Sequence, residues 1–175
     1  MPFAVSLRAD NESARSLTAL WAAAAAFEAQ PSMAGLGYGP HVTLAVYSEP
    51  PPLAPADILA PLVQGRGAPL RLRFAKLAAF DGPRPVLWAA PEPCPELDAL
   101  HAALHGLIAP ATCDPHYRPG AWVPHATIAT QIDPARRAAA LDFVARPIEP
   151  FELCLDAAEV VRFPPAEILE SRRLG

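Results

Sequence analysis

The chain has no concentrated positive charge. Its 14 lysines and arginines are outnumbered by 18 aspartates and glutamates, the net charge is −4, and no run of basic residues occurs in the 175 positions. A protein that holds long nucleic acid by its phosphates usually presents a basic stripe. We therefore expect no binding of long RNA or DNA.

Cysteine is also scarce. Cys94, Cys113 and Cys154 are widely spaced, odd in number and without a Cys-x-x-Cys pair, so neither a disulfide framework nor a zinc site is indicated. His101 and His105 lie one helical turn apart, a spacing that can bind a metal ion. No nearby glutamate or cysteine completes a ligand set, and the alanine- and leucine-rich surroundings favour a packed helix flank. We expect neither a metal nor another cofactor.

Long apolar runs are missing too, although 52% of the residues are hydrophobic. The alanine run 22–26 is too short and too weakly apolar to span a membrane. Residues 2–7 lack the basic segment that opens a secretory signal. The sequence predicts a soluble, cytoplasmic protein without membrane contact, and we expect a monomer. The length suits one domain, or two small lobes that share a cleft.

A repeated motif is present, in Pro40-His41-Val42-Thr43-Leu44 and Pro124-His125-Ala126-Thr127-Ile128. Both stretches read Pro-His-apolar-Thr-aliphatic. Residues i and i+2 of a strand share a face, so each motif presents an imidazole beside a hydroxyl. One such pair alone is more often structural. Two at matched positions favour a site in which two proton carriers and two hydroxyls surround one small anion.

The order of predicted elements repeats around the motifs. The first half has strands Phe3–Arg8, His41–Tyr47 and Leu70–Phe80, and helices Glu12–Ala29 and Ala56–Gln64. The second half has strands Val86–Ala90, Trp122–Thr130, Phe151–Leu155, Ala158–Phe163 and Ile168–Arg173, and helices Glu96–Ala109 and Ala135–Arg146. We predict an α+β fold, one bilobal domain over residues 1–175. Its pseudo-symmetric lobes span roughly 1–80 and 84–175, each a mainly antiparallel sheet with helices packed outside and an active-site cleft between them.

The paired motifs, about 80 to 90 residues apart on strands of a bilobal chain, resemble the two-histidine phosphoesterase superfamily. That superfamily includes the 2′-5′ RNA ligase-like proteins and the cyclic nucleotide phosphodiesterases. The resemblance covers nearly the whole chain. Between the motifs, residues 77–80 and 86–88 look like the family's strand pair. It implies a hydrolase acting without metal on a 2′,3′-cyclic phosphate or a related small phosphodiester, at a nucleotide or an RNA end.

The resemblance also implies roles for the motif residues. His41 is the general acid, His125 the general base, and Thr43 and Thr127 bind the phosphate. The chemistry agrees, because opening a cyclic phosphate removes a proton from water and supplies one to the leaving oxygen, and histidine can do either near neutral pH. Ligation of the 2′-5′ RNA ligase type would run the same site backwards and swap the roles. A non-catalytic nucleotide-binding protein is the remaining alternative.

Four further residues are candidates for substrate binding. Tyr38 and Tyr117 lie just before the two motifs and can stack on a nucleobase, although packing of a loop aromatic explains them equally well. Arg118 and Arg162 are the nearest cations to the cleft, with surface charge as the alternative for each. Many RNA ligase-like proteins carry a basic residue just after the second motif, whereas residues 129–130 are uncharged here. This difference argues against long RNA or polyphosphate as a substrate.

Overall fold

Seven strands and five α helices make up the fold, and the structure, a computed structural model, describes residues 1–175. The strands are β1 (Phe3–Ala9), β2 (His41–Tyr47), β3 (Leu70–Phe80), β4 (Val86–Pro91), β5 (Ala126–Ala129), β6 (Phe151–Arg162) and β7 (Glu167–Arg173). The α helices are α1 (Ala14–Ala24), α2 (Ser32–Gly35), α3 (Pro55–Val63), α4 (Pro95–Leu107) and α5 (Arg137–Ala145). None of the helices has both the length and the apolar character that crossing a membrane requires.

Helix α1 is shorter than the helix predicted over residues 12–29. Leu17 and Trp21 face the core at helical spacing, as expected. After Ala24 a single 3₁₀ turn follows, and Glu28 is extended because its backbone pairs with Ile132. The helix therefore ends ahead of Pro31, because Glu28 pairs with a residue more than 100 positions further along the chain.

All strands belong to one antiparallel sheet in the order β2-β1-β6-β3-β4-β5, with β7 also paired to β6. Strand β6 is continuous where two separate strands, 151–155 and 158–163, were predicted. Its first residues pair with β3, and the rest pair with β1 on one edge and β7 on the other. One long strand thus joins the two lobes, and the predicted α+β fold with an antiparallel sheet is confirmed.

The strand pairing crosses the midpoint of the chain. One lobe is formed by β2-β1-β6-β7 and the other by β5-β4-β3-β6, so each takes strands from both halves. The predicted division into 1–80 and 84–175 does not follow this pairing. The physical reason is the short loop 81–85, because it makes a hairpin in which Phe80 pairs directly with Val86.

The core lies between the sheet and the helices. Helix α1 packs on β5 and β6, α3 on β6 and β7, α4 on α3 and β2, and α5 on β3. A single cluster of 36 buried apolar residues runs through both lobes. The lobes therefore share one core, which packs them against each other as one unit.

Candidate active site

The two motif-bearing strands, β2 and β5, are the two ends of the strand order, and they contact each other. The sheet therefore curves until its end strands face one another. His41 is the first residue of β2, and His125 immediately precedes β5. Strand β5 is shorter than the predicted 122–130, because Pro124 has no N–H to donate to a neighbouring strand.

Both motifs contain the same backbone irregularity. The register of β2 against β1 skips Leu44, and the register of β5 against β4 skips Ile128. A bulge of this kind bends a strand and re-aims its side chains. Burial repeats as well, since Thr43 and Thr127 are half-buried and each is followed by two buried residues. The repeat seen in the sequence thus extends to a bulge at the same motif position.

Each motif threonine is braced from the opposite half of the chain. The indole N–H of Trp122 donates to the carbonyl oxygen of Thr43 at 3.1 Å, and the indole N–H of Trp21 donates to that of Thr127 at 2.9 Å. A carbonyl next to a bulge needs a partner outside the ladder, because an unpaired buried carbonyl costs free energy. The two tryptophans supply that partner and tie the motif strands to the lobes around them.

The two histidines are held in the same way. His41 Nδ1 lies 2.8 Å from the carbonyl oxygen of Gly39, and His125 Nδ1 lies 2.7 Å from that of Val123. A carbonyl only accepts hydrogen bonds, so Nδ1 of each ring carries a proton and donates it. The lone pair of each neutral ring is therefore at Nε2. Both imidazoles are prepared to accept a proton at that atom, or to release one when charged.

Burial lowers the pKa of both histidines below the ordinary value. For His41, desolvation is the largest cause; the Gly39 carbonyl raises the pKa, nearby His125 lowers it, and the Glu159 carboxylate raises it. For His125, desolvation lowers the pKa and the Val123 carbonyl raises it. Both rings are therefore largely neutral at pH 7 in the free protein. A bound phosphate anion favours protonation, because an adjacent negative charge stabilises imidazolium.

Two adjoining cavities occupy the cleft. One, of about 320 Å³, is lined by His41 and Thr43, and the other, of about 570 Å³, is lined by His125. Thr127 and Tyr117 line both cavities, so they mark the place where the cavities meet. The structure thus brings the four predicted motif side chains to one cleft, with Tyr117 at its centre.

Several polar side chains lie near His41. Ser6 Oγ lies 3.3 Å from Thr43 Oγ1. The Tyr38 ring packs against the His41 ring with centroids 4.7 Å apart, and its hydroxyl donates to Glu159 at 2.7 Å. Because Tyr38 is buried, with its ring against His41 and its hydroxyl on Glu159, the structure favours the packing interpretation of this residue over nucleobase stacking.

The surroundings of His125 are aromatic. Phe80 meets the His125 ring edge-on at 5.1 Å, Trp88 does so at 5.9 Å, and Tyr117 lies 6.5 Å away. Phe80 and Trp88 also stack on each other at 4.7 Å. Reasoning from the sequence placed these two residues on a hairpin but not in the site. The hairpin could have indicated that Phe80 and Trp88 lie together, since aromatic residues on neighbouring strands pair across a sheet.

The structure brings neither predicted arginine to the cleft. Arg118 donates from Nε to the carbonyl oxygen of Cys113 at 2.9 Å, and so ties together the loop before β5. Arg162 pairs with Glu167 on the adjacent strand. Its neighbours at 161 and 163 line the first cavity, so strand alternation turns Arg162 away. The expectation that these arginines contact the substrate is not supported by their positions.

No lysine or arginine lines either cavity of the cleft. The side chains that can meet an anion are the two imidazoles and hydroxyl groups, because His116 at the outer rim is already paired with the carboxylate of Asp114 at 3.0 Å. A site with this composition suits a phosphate of low charge better than a triphosphate, because each additional charge would lack a cationic partner.

His101 and His105 support the cleft from behind. Both are buried on α4, and their Nε2 atoms lie 2.8 Å and 3.0 Å from the carbonyl oxygen of Tyr117. The His101 ring also stacks in parallel on Trp122 at 4.0 Å. No group of three or more potential ligands is arranged to hold a metal ion. The pair packs between α4 and the loop before β5, which is the helix-flank arrangement.

The comparisons with known proteins agree with this architecture. The chain belongs to the 2′-5′ RNA ligase superfamily, whose family model matches residues 18–164 and so includes both motifs. The resemblance to two-histidine phosphoesterases is therefore confirmed. No curated protein matches the chain closely enough to add to this assignment.

Solved structures with the same fold span the whole chain. TT0787 of Thermus thermophilus is 22% identical, with 99% of this chain and 98% of that chain covered and a TM-score of 0.63. Escherichia coli LigT in complex with 3′-AMP is 15% identical, with 99% of both chains covered and a TM-score of 0.64. At these identities the likeness establishes the fold.

Proposed function

We propose that the protein is a metal-independent phosphoesterase that opens a 2′,3′-cyclic phosphate, or a related small phosphodiester, with His41 and His125 as acid and base. The observation that carries the proposal is the matched arrangement of the two imidazoles. Each is held at Nδ1 by a backbone carbonyl, which leaves Nε2 to exchange a proton with a substrate in the cleft.

In the proposed reaction a water molecule attacks phosphorus while Nε2 of His125 removes a proton from that water. The bond from phosphorus to one ribose oxygen breaks, and protonated His41 gives its proton to that oxygen. Thr43 and Thr127 donate hydrogen bonds to the nonbridging oxygens, where negative charge grows in the transition state. The products are a phosphomonoester and a free hydroxyl, and solvent returns the two histidines to their starting protonation states.

The composition of the cleft supports a small nucleotide as the substrate. A cyclic phosphodiester carries one negative charge, which protonated His41 can balance in a site without lysine or arginine. The aromatic side chains beside His125 form a surface on which a base can stack. Crystal structures of E. coli LigT with 3′-AMP, ATP and NADP⁺ show that a protein of this fold binds nucleotides.

Ligation is the second candidate, because the family carries the name of a 2′-5′ RNA ligase and the same two histidines serve the reverse reaction. It would require the cleft to hold two RNA ends. The net charge of −4 and the absence of lysine and arginine from the two cavities favour hydrolysis of a small substrate over that reaction.

A screen of 2′,3′-cyclic nucleotides tests the proposal. The protein is incubated with the four common cyclic nucleotides in the presence of EDTA, and the products are separated by chromatography against 2′- and 3′-monophosphate standards. We expect one monophosphate isomer to accumulate with wild-type protein and neither to accumulate when both histidines are replaced. Tight nucleotide binding without any product would contradict hydrolysis and support the non-catalytic alternative.

A further inference from the structure

Glu159 is a buried charged residue that the proposed reaction does not use. It lies in the part of β6 that pairs with β1 and β7, and its side chain is 1% exposed. Its carboxylate accepts hydrogen bonds from Arg8 Nε at 3.0 Å, Ser171 Oγ at 2.9 Å and the Tyr38 hydroxyl at 2.7 Å. Burying a carboxylate is costly unless it is paired and hydrogen-bonded to this extent.

Tyr38 connects this carboxylate to the site. Its hydroxyl donates a hydrogen bond to Glu159. Its ring packs against the His41 ring, with centroids 4.7 Å apart and ring planes inclined at 55°. Gly39, the next residue, supplies the carbonyl that accepts from His41 Nδ1. The short segment from Tyr38 to His41 is therefore anchored to the centre of the sheet through Glu159.

The other histidine has no equivalent partner. The side chains packed around His125 are aromatic. Asp114 and His116 line the same cavity but are hydrogen-bonded to each other, and no carboxylate contributes to the lowered pKa of His125. The titratable and charged groups that surround His41 come from five separate elements: Arg8, Tyr38, Tyr117, His125 and Glu159. Among these groups only Glu159 is an acidic side chain.

We propose that Glu159 is a positioning residue that holds the His41 ring through Tyr38 and, by its negative charge, supports the protonated form of His41, the proton donor of the pair. This inference rests on the proposed function and adds to it a residue that supports the proton donor. Arg8 offsets part of the Glu159 charge, but the carboxylate still raises the pKa of His41 and has no such effect on His125. His125 acts on the pKa of His41 in the opposite direction, so Glu159 counters part of that repulsion at one histidine of the pair.

The test replaces Glu159 by glutamine, which keeps the shape and leaves an oxygen for Tyr38 but removes the charge. The pKa values of His41 and His125 are measured in the substrate-free protein by NMR titration of their imidazole C–H signals. We expect the pKa of His41 to fall in Glu159→Gln and that of His125 to stay unchanged. Equal values in the wild type and the variant would overturn the proposal, whether or not a substrate has been found.

Activity gives a second measurement. If His41 is the donor, a lower pKa leaves fewer molecules with the proton in place, so kcat at neutral pH falls by up to about 100-fold, a loss of the size caused by misplacing a catalytic group. If His41 were the base, the same lower pKa would leave more of it ready to accept a proton. An unchanged or increased kcat in Glu159→Gln would therefore overturn the assignment.

Two further variants complete the experiment. Glu152→Gln makes the same change on the same strand at an exposed ion pair with Arg71, and we expect no effect on either histidine or on kcat. Should Glu159→Gln fail to fold, Tyr38→Phe replaces it, because this change keeps the ring and removes only the link to Glu159. A lower kcat with an unchanged KM in Tyr38→Phe supports the proposal, and a wild-type kcat overturns it.

Discussion

The two sides of the cleft have the same backbone and different surroundings. Each side has a histidine held by the carbonyl two residues earlier, a threonine braced by a distant tryptophan, and a bulge directly after that threonine. Around His41 the neighbours are Ser6, Tyr38 and Glu159, whereas around His125 they are Phe80, Trp88 and Tyr117. A repeated backbone thus provides two similarly held imidazoles, and side chains from other parts of the chain give them different environments.

Removing either imidazole is expected to have the largest effect. His41→Ala and His125→Ala should each lower kcat on a cyclic nucleotide by about 10²- to 10⁴-fold, the usual contribution of a positioned acid or base. The double variant should be little worse than the poorer single variant, because the two groups act as a unit. Steady-state kinetics measure this, and wild-type activity in either single variant would contradict the paired mechanism.

The leaving group of the substrate separates the two sides. A nitrophenyl phosphodiester releases an oxygen that needs little protonation, so the loss caused by His41→Ala should shrink by about tenfold or more on that substrate. The loss caused by His125→Ala should remain, because water must still be deprotonated. Comparing kcat for both variants on both substrates checks this. The opposite pattern would exchange the roles of the two histidines.

The aromatic side is expected to act on binding rather than on proton transfer. Phe80→Ala should raise KM for a cyclic nucleotide by about 5-fold or more, since stacking of a base on an aromatic ring contributes about 1–3 kcal/mol. A cyclic phosphate without a base serves as the control, and its KM should not change. An equal rise in KM for both substrates would show that Phe80 supports the fold around His125 instead of a base.

The smallest effect is expected from Arg162→Ala. Its side chain turns away from the cavities and pairs with Glu167, so kcat/KM should stay within about twofold of the wild-type value, because exposed ion pairs contribute little. The same steady-state assay measures this. A loss of tenfold or more would mean that Arg162 reaches the bound substrate and that the polar side of the cleft extends further than the structure shows.

Much of the scaffold was predictable from the sequence. Strand β3 begins and ends at the predicted residues, because apolar and polar side chains alternate along its first part. The paired motifs predicted both histidines and both threonines of the cleft. These features depend on local periodicity and on a repeated pattern, which a single sequence displays directly.

Long-range pairing was not predictable in the same way. Tyr38 and Glu159 are 121 residues apart, and neither carries a local signal for the hydrogen bond that joins them. The direction in which Arg162 points depends on how β6 is shared between β1 and β7. The sequence suggested which side chains perform the chemistry, whereas the neighbours that distinguish them depend on the completed sheet.

One measurement tests the central claim most directly. Purified protein treated with EDTA is incubated with a 2′,3′-cyclic nucleotide in isotopically labelled water, and the product is examined by mass spectrometry. Hydrolysis by a histidine pair predicts a monophosphate that carries one labelled oxygen on phosphorus and forms at the same rate with or without EDTA. Loss of the reaction on chelation, with recovery on adding one metal ion, would contradict the account.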